Sequence, residues 1–494
     1  MSELDQYPLL SGLLALPLLG ALITVLLRDA AWVRRVALAT ALLTLLVSLL
    51  VIVAFDGAQR GFQLIDSAPW MPGINIRYLV GIDGLSLLFL PATALLFCGA
   101  VIAGWRSVQG APGLYFALLL MFEAATLGVF CALDSILFFF CWELTLLPLY
   151  FLVSLWGVGG WRQTAAVRYF FVMLGGGVPL LFGILLLAFG HAAGGPLVFD
   201  LPTLLANPLP KDAQYLIFLL LLVGFGVKVP LIPFHTWLPA IAMGAPAAVT
   251  ALLVGLKLGA YGLIRFVIPL APAAAQDLHW LLAGLGTVAI LYGAVAALAQ
   301  SNLRGVLAYL SLSHVGLVLL GLASFSVSAL QGAVLQLLNF SMAASGGFLM
   351  LAFLQRRTGS TAIAHLGGVA HSMPLLTSFF LIFGLAGLGV PGTSGFPAEL
   401  LIIVAALHTH TGAGLAALFA VVVGAGAFLM PFRNAFLGPV RQANVAAAED
   451  LQARELFVAL VPTVLLLVFG FYPAPLLELL RPAAEAWVAG VRVF

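Results

Sequence analysis

The sequence predicts an all-α polytopic membrane protein with about 14 transmembrane helices, two inverted five-helix repeats and two broken helices. Composition is the first observation: of 494 residues, 63% are hydrophobic and 8% charged, and the mean hydropathy is +1.17. Soluble domains are about a quarter charged, so a soluble domain of useful size is excluded. The net charge of +2 and the lack of a basic cluster exclude nucleic acid as a partner. The lipid bilayer is the expected surrounding.

The second observation is a series of apolar runs, each near the roughly 20 residues that a helix needs to cross a bilayer. They cover residues 8–27, 32–55, 82–105, 112–132, 135–156, 166–190, 213–229, 246–268, 278–299, 304–322, 328–354, 372–390 with continuation to 407, 412–436 and 454–473. With the N-terminus outside, twelve of the twenty Lys and Arg fall at inside positions, six outside and two within spans. This bias follows the positive-inside rule. We therefore expect both termini outside, in a bacterial plasma membrane.

Helix breakers inside two spanning segments are the third observation. GFGVKVPLIPFHTW at 224–237 and GLAGLGVPGTSGFPAEL at 384–400 both place glycines before a proline and then add further breakers. Proline removes a backbone hydrogen bond, and a broken helix at membrane depth is tolerated only where it is buried in protein or lines water. Two such segments in corresponding positions are typical of inverted repeats with transport sites between them. They indicate repeat units at 112–268 and 278–436 within a single membrane domain, 1–494.

Ionisable side chains far from the ends of the spans are the candidate functional residues. Five of them, each on a different predicted helix, are Glu143, Lys228, Lys257, His314 and Glu399. A lysine near the bilayer centre costs roughly 2.5–3.5 kcal/mol on insertion scales, so such residues usually face a bundle interior and mark an ion path. Glu123 is a sixth, although a structural contact explains it equally well. The three cysteines lie in apolar runs without metal-ligand spacing and are expected to be buried, inert thiols.

The five groups together suit the transfer of protons. Burial makes an ammonium release its proton more readily and a nearby carboxylate opposes this, so a Glu–Lys pair that forms and breaks switches proton affinity. Histidine titrates near neutrality and suits a relay. The sequence contains no CxxC, no haem ligation pair, no GxGxxG after a strand and no Walker motif. We therefore expect no cofactor in this chain, and energy from a gradient or from partner subunits.

Six motifs resemble the NuoM-type antiporter-like subunit of respiratory complex I, a family that includes the photosynthetic NdhD and the mitochondrial chain 4. They are VGIDGLSLLF at 80–89, FFFCWELTLLPLYFLVSLWG at 138–157, VKVPLIPFHTWLP at 227–239, LKLGAYGLIRF at 256–266, NLRGVLAYLSLSHVG at 302–316 and PGTSGFPAEL at 391–400. The glutamate and lysine motifs are specific in combination, and the resemblance runs through nearly the whole chain.

The resemblance implies a role for each matching residue. Glu143 resembles the acid of the fifth helix, which pairs with the broken-helix lysine, here Lys228. Lys257 matches the central lysine of the eighth helix, His314 the histidine of the tenth and Glu399 the acid of the broken twelfth. By resemblance these residues form a proton path across the subunit. The implied partners are other membrane-arm subunits, which are expected to contain FMN and iron–sulfur clusters and to reduce a quinone.

One departure from the family pattern falls on the implied path. In QLLNFSMAASGG, Phe340 stands where the family usually offers a histidine. A phenyl ring cannot carry a proton. The link between His314 and Glu399 is therefore expected to need water, or Asn339 and Ser341 to orient it.

A second departure, WLPAIA with Ala240 and Ala242 where the family usually has polar groups, also keeps other hypotheses open. The main hypothesis is a proton-translocating subunit of a complex I type NADH–quinone oxidoreductase. One alternative is a homologous subunit of a cation/proton antiporter, a membrane-bound hydrogenase or an inorganic-carbon uptake complex. The other is a structural spacer whose relay is broken at Phe340.

Overall fold

A computed structural model describes residues 7–108, 110–192 and 194–492, and its helices confirm the predicted all-α polytopic membrane class. The helices of the first part of the chain are α1 (Leu9–Leu26), α2 (Ala30–Ala54), α3 (Phe89–Ser107), α4 (Pro112–Cys131), α5 (Ser135–Leu144), α6 (Leu146–Trp156), α7 (Arg162–Ala192), α8 (Leu201–Ala206), α9 (Lys211–Lys228), α10 (Trp237–Gly244), α11 (Ala247–Gly255), α12 (Leu258–Gly262), α13 (Ile268–Leu270) and α14 (Pro272–Asp277). The helices of the second part are α15 (His279–Leu298), α16 (Leu303–Leu322), α17 (Val327–Thr358), α18 (Val369–Ser372), α19 (Pro374–Gly387), α20 (Gly395–Thr409), α21 (Thr411–Phe436), α22 (Ala443–Ala446), α23 (Ala453–Phe471) and α24 (Ala474–Arg492).

In the described part of the chain, 12 helical stretches are long and apolar enough to cross a membrane. The two predicted spans that are missing from this set are the two with clustered helix breakers. α9 has 18 residues but carries charges at both ends, and the twelfth predicted span is divided into α19 and α20, of 14 and 15 residues. The exact number of 14 crossings, the repeat units and the sidedness of the termini stay predictions.

Both predicted breaks are present, and the structure adds a third. α9 ends at Lys228 and regular α-helix resumes at Trp237, and α19 ends at Gly387 before α20 begins. The unpredicted break lies at Lys257, between α11 and α12, where the backbone φ is 43°. This left-handed conformation is costly for a side chain other than glycine and occurs most often at functional sites. No proline marks this break, which is why the sequence did not reveal it.

The polar stretch at 56–78, between the second and third predicted spans, contributes to an antiparallel β-hairpin, whereas the sequence indicated an ordinary loop between helices. β1 (Gln63–Met71) pairs with β2 (Ile76–Ile82), and Asn75 in the turn adopts a left-handed conformation. The prediction began the third helix at residue 82, whereas α3 begins at Phe89. The reason is that VGIDGLSLLF is almost continuously apolar, and such a run does not separate a buried strand from a helix.

A second unpredicted element, α24, lies after the last apolar span. It buries one face, including Leu480 and Trp487, against the bundle. The Trp487 indole donates to the carbonyl of Ile264 at 2.8 Å, and the Gln331 amide donates to that of Leu477 at 2.7 Å. α24 therefore connects the segment after Lys257 with α17.

The centre of the bundle consists of Ala247–Leu270, α16 and α17. In the most apolar 18 residues of each of these stretches, 89% of the residues are buried. α17 packs against α11, α16, α19 and α20. Side chains on these elements face other helices, because peripheral helices such as α2 and α23 shield them from the bilayer. The predicted functional residues Lys257 and His314 lie on these central elements.

Candidate functional site

At one end of the predicted path, the Lys228 ammonium binds the turn of helix that carries Glu143. The Lys228 Nζ donates to the Thr145 hydroxyl at 2.8 Å and to the Trp142 carbonyl at 3.2 Å. It also lies 3.8 Å from the centre of the Trp142 ring, a cation–π contact. The Lys228 ammonium thus contacts Trp142 and Thr145, the residues before and after Glu143. Within the part of the chain that the structure describes, no salt bridge of 4.0 Å or less joins Lys228 to Glu143 itself.

The Glu143 carboxylate packs on the backbone of α7. Its Oε1 is buried without a hydrogen-bond partner among the described residues. A Cβ at Gly177 would collide with this oxygen, so the glycine makes room for the carboxylate. A buried carboxylate oxygen without a partner makes the anion more costly. Glu143 is therefore placed to accept a proton, or the Lys228 ammonium if that group leaves Thr145.

A small cavity connects the two lysines. Its volume is about 30 Å³, and its polar lining comes from Thr145, Tyr169, Lys228 and Lys257. A cavity needs at least about 10–15 Å³ of such space and several polar partners to hold a water molecule. One or two waters therefore fit between Lys228 and Lys257, and the lysines lie within reach of each other through water.

Lys257 is directed toward α16 and α17. Its Nζ donates to the Ser311 hydroxyl and lies 4.8 Å from the centre of the Phe340 ring. The left-handed backbone at Lys257 separates α11 from α12 and aims the side chain into the bundle. Ser311 precedes His314 by three residues on α16, so the two side chains lie on the same helical face.

His314 and Glu399 are in direct contact, and Gln336 bridges them. The His314 Nδ1 lies 3.5 Å from the Glu399 Oε1. The Gln336 Nε2 lies 3.0 Å from the same His314 nitrogen and 3.2 Å from the same Glu399 oxygen. A cavity of about 20 Å³ is lined by both His314 and Glu399. The Glu399 carboxylate also packs on Gly389 in the break of the twelfth span, where a Cβ would collide with it.

The prediction that Phe340 interrupts the link between His314 and Glu399 is wrong. Its ring lies between Lys257 and His314, with its centre 4.6 Å from that of the imidazole, and does not separate His314 from Glu399. Asn339 and Ser341 do not orient that link either. The Asn339 amide donates to the Ala386 carbonyl, and the Ser341 hydroxyl binds the carbonyls of Gly255 and Leu337. Phe340 therefore lies one step earlier on the predicted path, between Lys257 and His314.

The residue that fills the His314–Glu399 link, Gln336, was missed by the sequence analysis. It precedes Phe340 by four residues on α17, so helical spacing alone places it on the same face. Ser311, three residues before His314, was missed in the same way. Both could have been found by asking which polar side chains share a helical face with the predicted groups.

Other buried charges lie outside the predicted path. Both carboxyl oxygens of Glu123 are buried without a partner among the described residues. Arg265 forms a buried salt bridge with Asp83, across 182 residues of sequence. The Arg304 guanidinium donates to backbone carbonyls, including that of Ala245 at 2.9 Å. The two arginines hold segments together, whereas no contact explains Glu123.

The geometry of these buried groups is that of a class of membrane protein. Acids, lysines and a histidine lie inside an apolar bundle, next to helix breaks and small cavities, which is typical of membrane ion translocators. The five predicted residues form two groups. Lys228 and Lys257 line one cavity, and Glu143 lies beside the residues that hold Lys228. His314 and Glu399 border another cavity, and Phe340 lies between the two groups.

Comparisons with known proteins agree with this class. Residues 132–424 match the family described as NADH:quinone oxidoreductase/Mrp antiporter, TM. F(420)H(2) dehydrogenase subunit M of Methanosarcina mazei is 34% identical over 492 residues, which is 98% of each chain. NADH-quinone oxidoreductase subunit M of Escherichia coli K12 is 36% identical over 465 residues, 90% of each chain. A chain of the Thermus thermophilus respiratory complex I structure has a TM-score of 0.89 and 30% identity, covering 98% of this chain and 100% of that one.

The chain therefore belongs to the NADH:quinone oxidoreductase/Mrp antiporter transmembrane family. The predicted resemblance to the NuoM-type antiporter-like subunits of complex I is confirmed. Relatives of this kind are subunits of multi-subunit membrane complexes, which supports the predicted membrane-arm partners.

Proposed function

We propose that this chain is the proton-translocating, antiporter-like subunit of a complex I type NADH–quinone oxidoreductase in a bacterial plasma membrane, with Glu143, Lys228, Lys257, His314 and Glu399 as proton carriers. Partner subunits bind the FMN and iron–sulfur clusters and reduce the quinone. The observation that carries the proposal is the arrangement of buried acids and bases around small cavities at the helix breaks. Such groups are costly in a bilayer and usually mark an ion path.

The first group of residues exchanges protons between an acid and two lysines. When the Lys228 ammonium leaves Thr145 for Glu143, the pair stabilises both charges and Lys228 keeps its proton. When the pair opens, burial favours the neutral amine, and the proton moves through water in the cavity to Lys257. The Trp142 ring and the Thr145 hydroxyl provide the second resting place for the ammonium.

The second group passes the proton from Lys257 to Glu399. The Ser311 hydroxyl accepts from Lys257 and lies one turn from His314, so it offers a route beside the Phe340 ring. The neutral His314 accepts from the Gln336 amide at Nδ1, and an imidazolium donates from Nδ1 to Glu399 instead. The Gln336 Oε1 is buried without a partner among the described residues. When His314 is protonated, a rotation of the Gln336 amide turns this oxygen toward the His314 Nδ1–H as a second acceptor.

Gln336→Leu tests the second group. The variant removes the bridge while keeping an apolar side chain of similar length, so His314 and Glu399 lose their common partner. A correctly positioned proton-transfer group speeds the transfer by about 100-fold or more. Without Gln336, His314 and Glu399 are no longer held in position, so we expect proton pumping to fall by at least about 10-fold. Pumping is measured as dye quenching in vesicles of the assembled complex.

Gln331→Leu is the matched control for this variant, because Gln331 lies on the same helix and binds the Leu477 carbonyl away from the path. It should assemble and pump like the wild type. Equal pumping by Gln336→Leu and the wild type would remove Gln336 from the mechanism.

Membership of the complex is tested by purifying the tagged protein from its native membrane in mild detergent. We expect flavin- and iron–sulfur-containing partners that co-purify with NADH–quinone activity. A small set of membrane partners without redox subunits would contradict the proposal and favour the cation/proton antiporter alternative. The same purified complex also tests the electron donor, because the Methanosarcina relative is a subunit of an F(420)H(2) dehydrogenase. Oxidation of F(420)H(2) in place of NADH would show that NADH is not the donor.

A further inference from the structure

Four arginines gather at one end of the bundle, where four helices begin or end. Arg34 lies in the second turn of α2 and Arg106 in the last turn of α3. Arg356 lies in the last turn of α17, and Arg454 is the second residue of α23. Arg34 donates to the carbonyl of Val108, two residues after Arg106, at 3.2 Å, and Arg356 binds Glu455, the residue after Arg454, at 2.9 Å. The charges of Arg34, Arg106 and Arg356 all act on Arg454, opposed by that of Glu455. Like charges repel, so this cluster favours an anion.

The protein compensates little of this charge. The Glu455 carboxylate is shared between Arg356, at 2.9 Å, and Arg357. Arg106 is exposed at the surface, and Arg454 donates to the neutral Gln452 amide at 3.3 Å. Arg106 and Arg454 therefore keep most of their hydrogen-bond donors for a ligand.

A groove begins below the arginines. α2 and α23 both pack on α3 and have little contact with each other, so the surface between them is formed by α3 and α17. A small cavity of about 20 Å³ lies between Ile102, Leu349 and Phe457, next to the arginine end. Further along the same helices the groove widens into a cavity of about 370 Å³.

The large cavity has an apolar wall. Leu, Ile, Val, Met and Phe side chains of the four helices dominate its lining. Its polar residues among those described, Asn339 and Ser394, bind each other at 2.9 Å. Protein interiors contain few voids larger than a water molecule, and an apolar wall does not hold water. The cavity therefore fits an apolar occupant.

The distance from the arginines to the cavity matches a lipid chain. Val461, in the cavity wall, is seven residues after Arg454, or about 10 Å along α23, and Leu465 is about 16 Å away. Half the hydrocarbon thickness of a bilayer is about 15 Å. On α3 the wall lies further away, because Ala92 is about 21 Å from Arg106 along the helix. An acyl chain whose phosphate lies at the arginines thus reaches the near end of the cavity at Val461 and Leu465 and extends toward Ala92.

We propose that this groove binds one anionic phospholipid, with its phosphate on Arg106 and Arg454 and an acyl chain in the apolar cavity between α2 and α23. The guanidinium fork matches phosphate oxygens in geometry as well as charge. Basic pockets at the ends of transmembrane helices are known to take acidic headgroups. The lipid fills a gap between helices that hardly touch, and its binding does not depend on the proton path.

The site is tested on the purified complex, delipidated and reconstituted into nanodiscs of equal amounts of phosphatidylglycerol and phosphatidylcholine. Native mass spectrometry then counts the lipids retained. We expect the wild type to retain phosphatidylglycerol in preference, and R106Q/R454Q to bind it about 30-fold more weakly, the effect of two lost charges. Ala92→Phe fills the cavity and should displace the lipid although both arginines remain.

Arg433→Gln, at the exposed end of α21, is the matched control and should retain lipid like the wild type. The proposal is overturned if R106Q/R454Q and Ala92→Phe retain as much phosphatidylglycerol as the wild type, or if the wild type does not distinguish the two headgroups. Disulfide crosslinking of Phe457→Cys to a neighbouring subunit in the native complex would also overturn it, because a protein helix would then occupy the groove.

Discussion

We expect proton pumping by the assembled complex to fall at least about 100-fold when Lys257 is replaced by alanine, because positioned proton transfer contributes this much or more. Lys257 is the member of the first group that lies nearest to the helix of His314 in its contacts. It lines the cavity shared with Lys228 and donates to Ser311 on the helix of His314. Alanine leaves no titratable group between them. The measurement is proton uptake into proteoliposomes during quinone reduction.

Lys211→Ala is the matched control for this loss. Lys211 begins α9 and is largely exposed, where it forms a salt bridge of 2.7 Å with Asp277. Its removal changes the charge of the chain by the same amount, and pumping should stay near the wild-type level because exposed salt bridges contribute little. Unchanged pumping in a normally assembled Lys257→Ala complex would support the structural-spacer alternative instead.

Phe340→Ala is expected to make the complex leak protons several-fold faster than the wild type. The Phe340 ring occupies the space between Lys257 and His314 and lines a cavity of about 20 Å³ on the His314 side. Removing it opens a passage between this cavity and the one shared by the lysines, and water in that passage carries protons without control. Dissipation of an imposed pH gradient, measured without an electron donor, reports the leak.

Phe348→Ala separates the leak from general destabilisation. Phe348 is fully buried on the same helix, and both substitutions should cost about 3–5 kcal/mol of stability. Phe348 is absent from the walls of the cavities around the predicted residues, so its variant should hold the gradient. Equal leak rates in the two variants would show that Phe340 is not the barrier.

Much of the fold was predictable from the sequence because a bilayer imposes strong rules on composition and length. The apolar runs located the long helices, and prolines located the breaks after Lys228 and before Glu399. The hairpin of β1 and β2 and the helix α24 were not predicted. Both are elements to which the length rule for membrane spans does not apply, and short apolar runs such as that of β2 are ambiguous.

The candidate residues could be selected from the sequence, whereas their arrangement in space could not. Burial cost alone identified Lys257 and His314 as unusual, and this required no structure. The break at Lys257 could not be predicted, since a left-handed lysine is imposed by tertiary packing and has no local signal. The positions of Phe340 and Gln336 between particular partners depend on how α16 and α17 rotate against each other, which one sequence does not specify.

Lys257→Arg tests the central claim most directly. Arginine keeps the positive charge, and the hydrogen bond to Ser311 can form, but a guanidinium does not release its proton in a protein. If Lys257 carries protons, the Lys257→Arg complex assembles and reduces quinone at a residual rate, with proton uptake per electron as low as in Lys257→Ala. Proton uptake per electron equal to that of the wild type would contradict the account, because Lys257 would then provide a fixed charge and carry no protons.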